Sequence, residues 1–296
     1  MDVKSRILTD LKEKLGGQVF LSEPSSNRQY YLGDWRNNLF DKGLGEHETE
    51  FLKGQGHELS LDSTPDLASV GSSAALPINL LGINKTCQLK DTPASWNVNH
   101  GKYALTYEYK SKTIRRARAN IDVYLHNGND HVFIEMKMLE PLKRTSTKLS
   151  EAYFRKESYA NEQAYKVFRH LFDEAIKANR FDRIQMTKHL LGIYNKFAKE
   201  RPNELQHVIL LNCYWKPSDD FCEQRLPYQR LDLTEHYSLY QTEANDFTSD
   251  VSKANVLDLF RSVNVVMQTD SLKAKDMLDY LDLSDRRKGY LTRYNV

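Results

Sequence analysis

Hydrophobic and polar residues alternate along three consecutive stretches of the chain, KYALTYEY at 102–109, NIDVYL at 120–125 and HVFIEMKML at 131–139. Alternation with a period of two is typical of β-strands. HNGND separates the last two stretches, and its Asn-Gly pair indicates a hairpin. Two further strands are predicted, in HVILLNCYW at 207–215 and in SVNVVMQ at 262–268.

Around these strands, apolar residues recur with the helical period. A short apolar helix is predicted after Ser72 and Ser73, and the last predicted helix begins at Ser271 as its cap. Strands that alternate with helices after an initial hairpin favour an α/β fold with a central mixed sheet flanked by helices. The longer predicted helices cover residues 2–16, 150–177, 183–198, 232–246 and 271–281.

The composition is that of a globular protein, with 40% hydrophobic and 28% charged residues among 296. We expect a single domain over residues 1–296, with its core at about 44–280. No apolar stretch approaches the roughly 20 residues that span a bilayer, and the chain begins without the apolar region of a secretory signal. A cytoplasmic location is therefore expected. Cys87, Cys213 and Cys222 have no C-x-x-C spacing, which argues against a zinc or redox site.

The net charge is only +2, so any contact with nucleic acid must come from local basic patches. One patch lies in KSKTIRRAR, where Arg115, Arg116 and Arg118 precede the predicted strand at 120–125. These arginines could contact phosphates, and a solvated basic connection explains them equally well.

Charged side chains share one face of the predicted hairpin. Alternation places Glu135 and Lys137 on the face opposite Ile134, about 7 Å apart at the usual rise of roughly 3.3 Å per residue. On the preceding strand, Asp122 lies on the face opposite Val123. Since a short turn joins the two strands, Asp122 can lie close to Glu135.

Two carboxylates and a lysine suit the hydrolysis of phosphodiesters. Carboxylate oxygens bind hard cations such as Mg²⁺, which neutralises the phosphate and activates water, while the lysine can orient or help to deprotonate that water and support the developing charge. The pattern alone does not decide, because Glu-x-Lys on a strand more often forms an ion pair than a catalytic pair. A rival Glu-x-Lys motif, Glu108-Tyr109-Lys110, has no predicted strand with an acidic residue before it.

Six blocks in order along most of the chain resemble an uncharacterised bacterial branch of the PD-(D/E)XK nuclease superfamily. The blocks are GQGHEL, SSAALPINLLG, ANIDVYL, VFIEMKMLEPL, RIQMTKHLLGIY and VILLNCYW. The resemblance implies a restriction-endonuclease-like core and an endonuclease that depends on Mg²⁺, with Mn²⁺ able to substitute. It further implies that the substrate is nucleic acid, with double-stranded DNA as the favoured form. A role in restriction or anti-phage defence is also implied.

The resemblance assigns site residues position by position. Asp122 matches the first acid of the signature, Glu135 the second, and Lys137 the lysine. Glu58 matches an acidic helix position that often completes the metal site with Asp122 and Glu135, and a solvent-facing glutamate is the alternative.

The resemblance also extends to the helix predicted at 183–198. Gln185 matches a helical glutamine that contacts substrate or water. Lys188 lies three positions later on the same face and could reach a phosphate, against the alternative of a plain surface lysine. His189 is interpreted as a packed or exposed residue without a catalytic role.

Three functions stay open from the sequence. The first is the metal-dependent endonuclease, for which a homodimer would supply the two active sites that double-strand cleavage usually needs. The second is a nuclease-like module that binds nucleic acid or a protein without cutting. The third is a small-molecule hydrolase with Asp122 and Glu135 as an acid/base pair, which Lys137 makes less natural.

Overall fold

One mixed sheet forms the centre of the protein. The computed structural model describes residues 3–21, 30–52, 58–59, 64–114, 117–145, 148–223 and 233–294. Within these ranges the strands are β1 (Thr86–Leu89), β2 (Gly101–Lys112), β3 (Arg118–Asn127), β4 (Asp130–Lys137), β5 (Gln206–Tyr214) and β6 (Val265–Lys273).

The six strands lie in chain order across the sheet. Strands β1 to β4 pair antiparallel, whereas β5 runs parallel to β4 and β6 parallel to β5. Parallel neighbours need a long crossover connection, which the helices between β4 and β5 and between β5 and β6 provide. The predicted α/β class with a mixed sheet and flanking helices is confirmed.

Helices of varied length flank the sheet. None in the described part of the chain is long and apolar enough to cross a membrane. Their bounds are α1 (Val3–Lys14), α2 (Glu48–Leu52), α3 (Ala75–Leu81), α4 (Glu162–Ala175), α5 (Arg183–Glu200), α6 (Asp219–Glu223), α7 (Leu233–Val251), α8 (Ala254–Arg261), α9 (Ala274–Met277) and α10 (Asp285–Leu291).

The predicted hairpin is present between β3 and β4. Its turn consists of Gly128 and Asn129, one residue later than the Asn-Gly pair suggests, and Gly128 has a φ of 57°. Glycine adopts this left-handed conformation without steric cost. Seven of the eight residues of β4 are buried, so both faces of this strand are covered.

Helix α5 lies over β2 and β3 at very close range. The backbone of Gly192 approaches Ser111 so closely that a Cβ at Gly192 would lie 2.6 Å from Ser111 Cβ. At its start, Asp182 caps the helix by accepting a hydrogen bond from the Gln185 backbone N–H. The close approach of Gly192 to Ser111 fixes the position of α5 relative to the sheet that carries Asp122 and Glu135.

Two predicted helices are wrong in extent. Only Glu162–Ala175 of the region 150–177 is α-helical, and short 3₁₀ turns at Glu151–Phe154 and Lys156–Ser158 precede it. The predicted cap Ser271 belongs instead to β6, which continues to Lys273 because it pairs with β5 over its whole length. The other predicted strands and long helices are present with shifted ends.

Candidate active site

Glu135 lies at the centre of a closed network of hydrogen bonds near the end of β4. Its side chain is 2% exposed. Oε1 accepts hydrogen bonds from Lys137 Nζ at 2.6 Å and from Gln185 Nε2 at 2.7 Å. Lys137 Nζ also donates to Gln185 Oε1 at 2.8 Å, and His189 Nε2 lies 3.0 Å from Glu135 Oε2. The structure therefore brings the predicted Glu135, Lys137 and Gln185 together.

This network keeps both members of the Glu-x-Lys pair charged. Burial works against the charge of Glu135, but Lys137 and His189 hold the pKa of Glu135 down at about 2. Burial likewise disfavours the charge of Lys137, yet the neighbouring Glu135 raises its pKa. At neutral pH the carboxylate and the ammonium therefore form a buried ion pair.

Asp122 is half-buried on β3, beside β4. Val123 pairs with Ile134 in the antiparallel ladder, so continuing this register by one residue places Asp122 across from Glu135. Asp122 Oδ2 accepts a hydrogen bond from the Met136 backbone N–H at 2.6 Å. Burial, reinforced by the carboxylate of Glu135, raises the pKa of Asp122 well above its ordinary value.

Glu108 on β2 is a further carboxylate of this cluster. Val123 pairs with Tyr107 and Ile121 with Tyr109, which places Glu108 across from Asp122. Glu108 is 8% exposed, and burial together with Glu58 and Glu135 raises its pKa to about 8. From the sequence alone, Glu108 is only part of the rival motif Glu108-Tyr109-Lys110.

The backbone explains why the alternation rule does not find Glu108. Its φ of 50° lies in the left-handed region, inside a strand. Tyr107, before it, packs against His47, whereas Tyr109, after it, packs against Tyr124. The orientation of residues along β2 therefore changes at Glu108.

Glu58 lies in a turn near this cluster. The helix position predicted for it cannot be compared, because residues 53–57 and 60–63 lie outside the described part of the chain. Its Oε2 is buried and accepts no hydrogen bond from any described residue. Glu58 also lines a cavity of about 240 Å³ that reaches Glu140 and Lys143.

The resemblance implies a metal ion, which would need oxygen ligands from the side chains of this cluster. The carboxylates of Glu58, Asp122 and Glu135 are of the chemical type that binds hard cations, and the orphaned oxygen of Glu58 fits such a role. Over the residues described, no three His, Cys, Asp or Glu side chains already converge on one point. The three-carboxylate metal site thus stays a prediction.

Two of the four residues predicted to contact phosphates, Lys188 and Arg118, lie in the described part of the chain. Lys188 Nζ lies 5.4 Å from the centre of the Tyr153 ring, and burial lowers the pKa of Lys188. Arg118 is the exposed first residue of β3. Arg115 and Arg116 lie outside the described residues.

His189 belongs to the network, although the sequence analysis gave it no catalytic role. It is fully buried, and its Nδ1 has no hydrogen-bond partner among the described residues. A signal was present in the sequence, because residues four apart on a helix share a face and His189 follows Gln185 by four.

In comparisons with known proteins, no protein family, curated protein or solved structure matches this chain. The function must therefore be argued from the side chains themselves. Carboxylates are the usual ligands of hard cations, and a charged lysine can stabilise negative charge on a bound substrate.

Proposed function

We propose that this protein is a metal-dependent nuclease of the PD-(D/E)XK type that hydrolyses phosphodiester bonds, with double-stranded DNA as substrate. The observation that carries the proposal is the hydrogen-bonded triangle of Glu135, Lys137 and Gln185, with Asp122 at the next register position. This set combines acids, a lysine and a positioned amide, which are the groups that phosphodiester hydrolysis uses.

The carboxylates are assigned to metal binding. Glu58, Asp122 and Glu135 would hold Mg²⁺, with Glu108 near enough to contribute to the negative potential. When bound, the ion supplies charge neutralisation at the phosphate and a water of lowered pKa. The backbone N–H of Met136 orients Asp122, and His189 orients Glu135.

Lys137 acts through its charge. Its raised pKa favours an ammonium that keeps its proton, so it is suited to stabilising a developing negative charge and not to acting as a general base. Gln185 fixes Lys137 Nζ by accepting one of its hydrogen bonds, and thereby limits the directions in which the ammonium can donate.

The order of the strands in the sheet supports a restriction-endonuclease-like core. Strands β2, β3 and β4 form an antiparallel meander, and β5 joins β4 in parallel after the crossover through α4 and α5. Glu135 and Lys137 lie at the carboxyl end of β4, the end at which α/β sheets usually bind ligands.

One observation favours a second candidate, a nuclease-like module that binds nucleic acid without cutting it. The carboxylate of Glu135 already accepts hydrogen bonds from Lys137 and Gln185 and contacts His189. A carboxylate satisfied in this way must exchange partners before it can bind a cation.

Cleavage assays separate the two candidates. Purified protein is incubated with plasmid DNA, linear DNA and RNA, with Mg²⁺, with Mn²⁺ or with EDTA. We expect metal-dependent cleavage of DNA by the wild type and at least about a hundredfold loss in Asp122→Asn and in Lys137→Ala, since the first removes a proposed metal ligand and the second a cation.

The matched controls are Asp279→Asn and Lys102→Ala, which change exposed residues outside the cluster. They should cleave like the wild type, and thermal melting shows which variants are folded. Cleavage that survives in both Asp122→Asn and Lys137→Ala would reject this active site. Binding of DNA with no cleavage under either metal would favour the binding module.

A further inference from the structure

A second group of charged side chains borders the candidate active site. It lines a cavity of about 150 Å³ between the segment that follows β4 and the connection from α4 to α5. Such a volume corresponds to about five water molecules at roughly 30 Å³ each. Four cations and two carboxylates face it: Lys137, Lys143, Arg144, Arg180, Glu140 and Asp182.

Lys137 is paired with Glu135, whereas the other cations of this cavity lack an ion pair of this kind among the described residues. Lys143 and Arg144 form no ion pair with any residue that the structure describes. Arg180 Nη1 donates to the neutral carbonyl of Leu142 at 3.1 Å. Burial and the nearby guanidinium of Arg144 lower the pKa of Arg180, so two like charges are held close together. An anion between them would relieve this repulsion.

The two carboxylates are already engaged by the backbone. Glu140 Oε2 accepts a hydrogen bond from the Met138 N–H at 2.7 Å. Asp182 Oδ1 accepts one from the Gln185 N–H at 2.9 Å, as the cap of α5. One oxygen of each carboxylate is therefore held by a backbone amide.

The walls of the cavity are held in place before any ligand arrives. Glu243 of α7 accepts hydrogen bonds from three consecutive backbone N–H groups, those of Asn179, Arg180 and Phe181, each at 2.8 Å. The Thr145 N–H donates to Asn179 O at 2.8 Å and joins the two walls. A loop fixed in this way loses little conformational entropy on binding.

We propose that this cavity binds a backbone phosphate of the nucleic acid next to the scissile phosphate, with Lys143, Arg144 and Arg180 as the donors. Arginine suits the task because its planar guanidinium can donate two hydrogen bonds to one phosphate. The inference rests on the proposed function through Lys137, which both lines the cavity and belongs to the candidate active site. Lys143 also lines the cavity that contains Glu58, so the strand would pass between the two cavities.

The test compares the double variant Lys143→Ala/Arg144→Ala with the wild type. Binding of a fluorescently labelled DNA duplex is measured by anisotropy in EDTA, over a series of salt concentrations. We expect roughly tenfold weaker binding and a salt slope reduced in magnitude by about 1 to 2, because phosphate contacts release counterions. The control Lys102→Ala/Lys199→Ala removes two exposed lysines and should leave affinity and slope close to those of the wild type.

The outcomes for the cavity and for the nuclease are distinguishable. If the double variant binds and cleaves like the control, the phosphate subsite is rejected while metal-dependent cleavage by the wild type still stands. If binding depends on Lys143 and Arg144 but no metal supports cleavage, the subsite stands and the nuclease is rejected. A wild type that does not bind the duplex overturns the subsite as well.

Discussion

Individual residues in the cluster carry a conflict between charge and burial. Glu108 and Asp122 are drawn into the same region as Glu135, and both have raised pKa values because burial and neighbouring carboxylates disfavour their charged forms. Glu135, by contrast, is in hydrogen-bond contact with a lysine and a histidine, Lys137 and His189. A cation bound near these carboxyl groups would favour their charged forms.

Glu108→Gln tests this conflict directly. The amide carries no charge and can donate to a neighbouring carboxylate, so we expect the free energy of unfolding to rise by about 1 to 3 kcal/mol. DNA cleavage should fall, because glutamine cannot become the carboxylate that a nearby cation would favour. Urea unfolding and the cleavage assay measure the two effects, and a variant that is less stable yet fully active would contradict this account.

The sequence predicts that Glu135 and Lys137 share a face and that Asp122 lies beside them, because a period of two fixes the face of each side chain. It does not predict the place of Glu108, whose left-handed backbone changes the orientation of β2 at that residue. It also does not predict the cavity formed around Lys143, Arg144 and Arg180, since contacts between distant segments bring these residues together.

Among the elements, α5 decides the geometry of the site, because Gln185 and His189 both project from it onto Glu135. Its position depends on the close contact between Gly192 and Ser111. Pattern reasoning locates α5 and the central strands but misjudges boundaries set by pairing, as at Ser271, where the ladder with β5 overrides a local helix cap.

Gly192→Ala should move α5 away from the sheet. The added Cβ would overlap Ser111, so we expect destabilisation of about 1 to 3 kcal/mol together with reduced cleavage. Gly289→Ala is the matched control, because nothing lies within 4 Å of its Cβ and alanine favours the helix α10. Denaturant melts measure both variants. Adding Ser111→Gly should partly restore Gly192→Ala, and no rescue would count against the steric explanation.

The far end of β4 carries a pH-dependent element. His131 is 3% exposed, with Nδ1 2.8 Å from the Tyr124 hydroxyl and Nε2 2.8 Å from Gln206 Oε1. Burial lowers the pKa of His131 from 6.5 to about 4. Its contribution to stability is therefore complete above pH 6.5 and is lost as the pH falls toward 4, by about 3 kcal/mol in total.

His131→Gln should flatten this part of the stability curve. Urea unfolding at pH 7 and pH 4.5 should show a smaller loss for the variant than for the wild type, because glutamine takes up no proton. The exposed His100→Gln is the control and should follow the wild type. Equal losses in wild type and His131→Gln would show that another group titrates.

For the whole molecule, the proposed metal binding would be linked to folding. If Mg²⁺ binds only the folded chain, it stabilises the protein by about 2.7 kcal/mol at a hundred times its dissociation constant. We therefore expect Mg²⁺ to raise the melting temperature of the wild type and of Asp279→Asn by several degrees, reversibly with EDTA. Asp122→Asn should show no such rise, and an unchanged rise would remove Asp122 from the metal site.

The meander of β2, β3 and β4 brings Glu108, Asp122 and Glu135 together through short loops, whereas Gln185 and His189 arrive through the long segment that ends in α5. Loop-closure entropy and contact order both make the short pairings easier to form. During folding, Lys137 is therefore the partner that can neutralise Glu135 first, since it is only two residues away. The local position of the lysine allows the chain to bury its central acid before the helix docks.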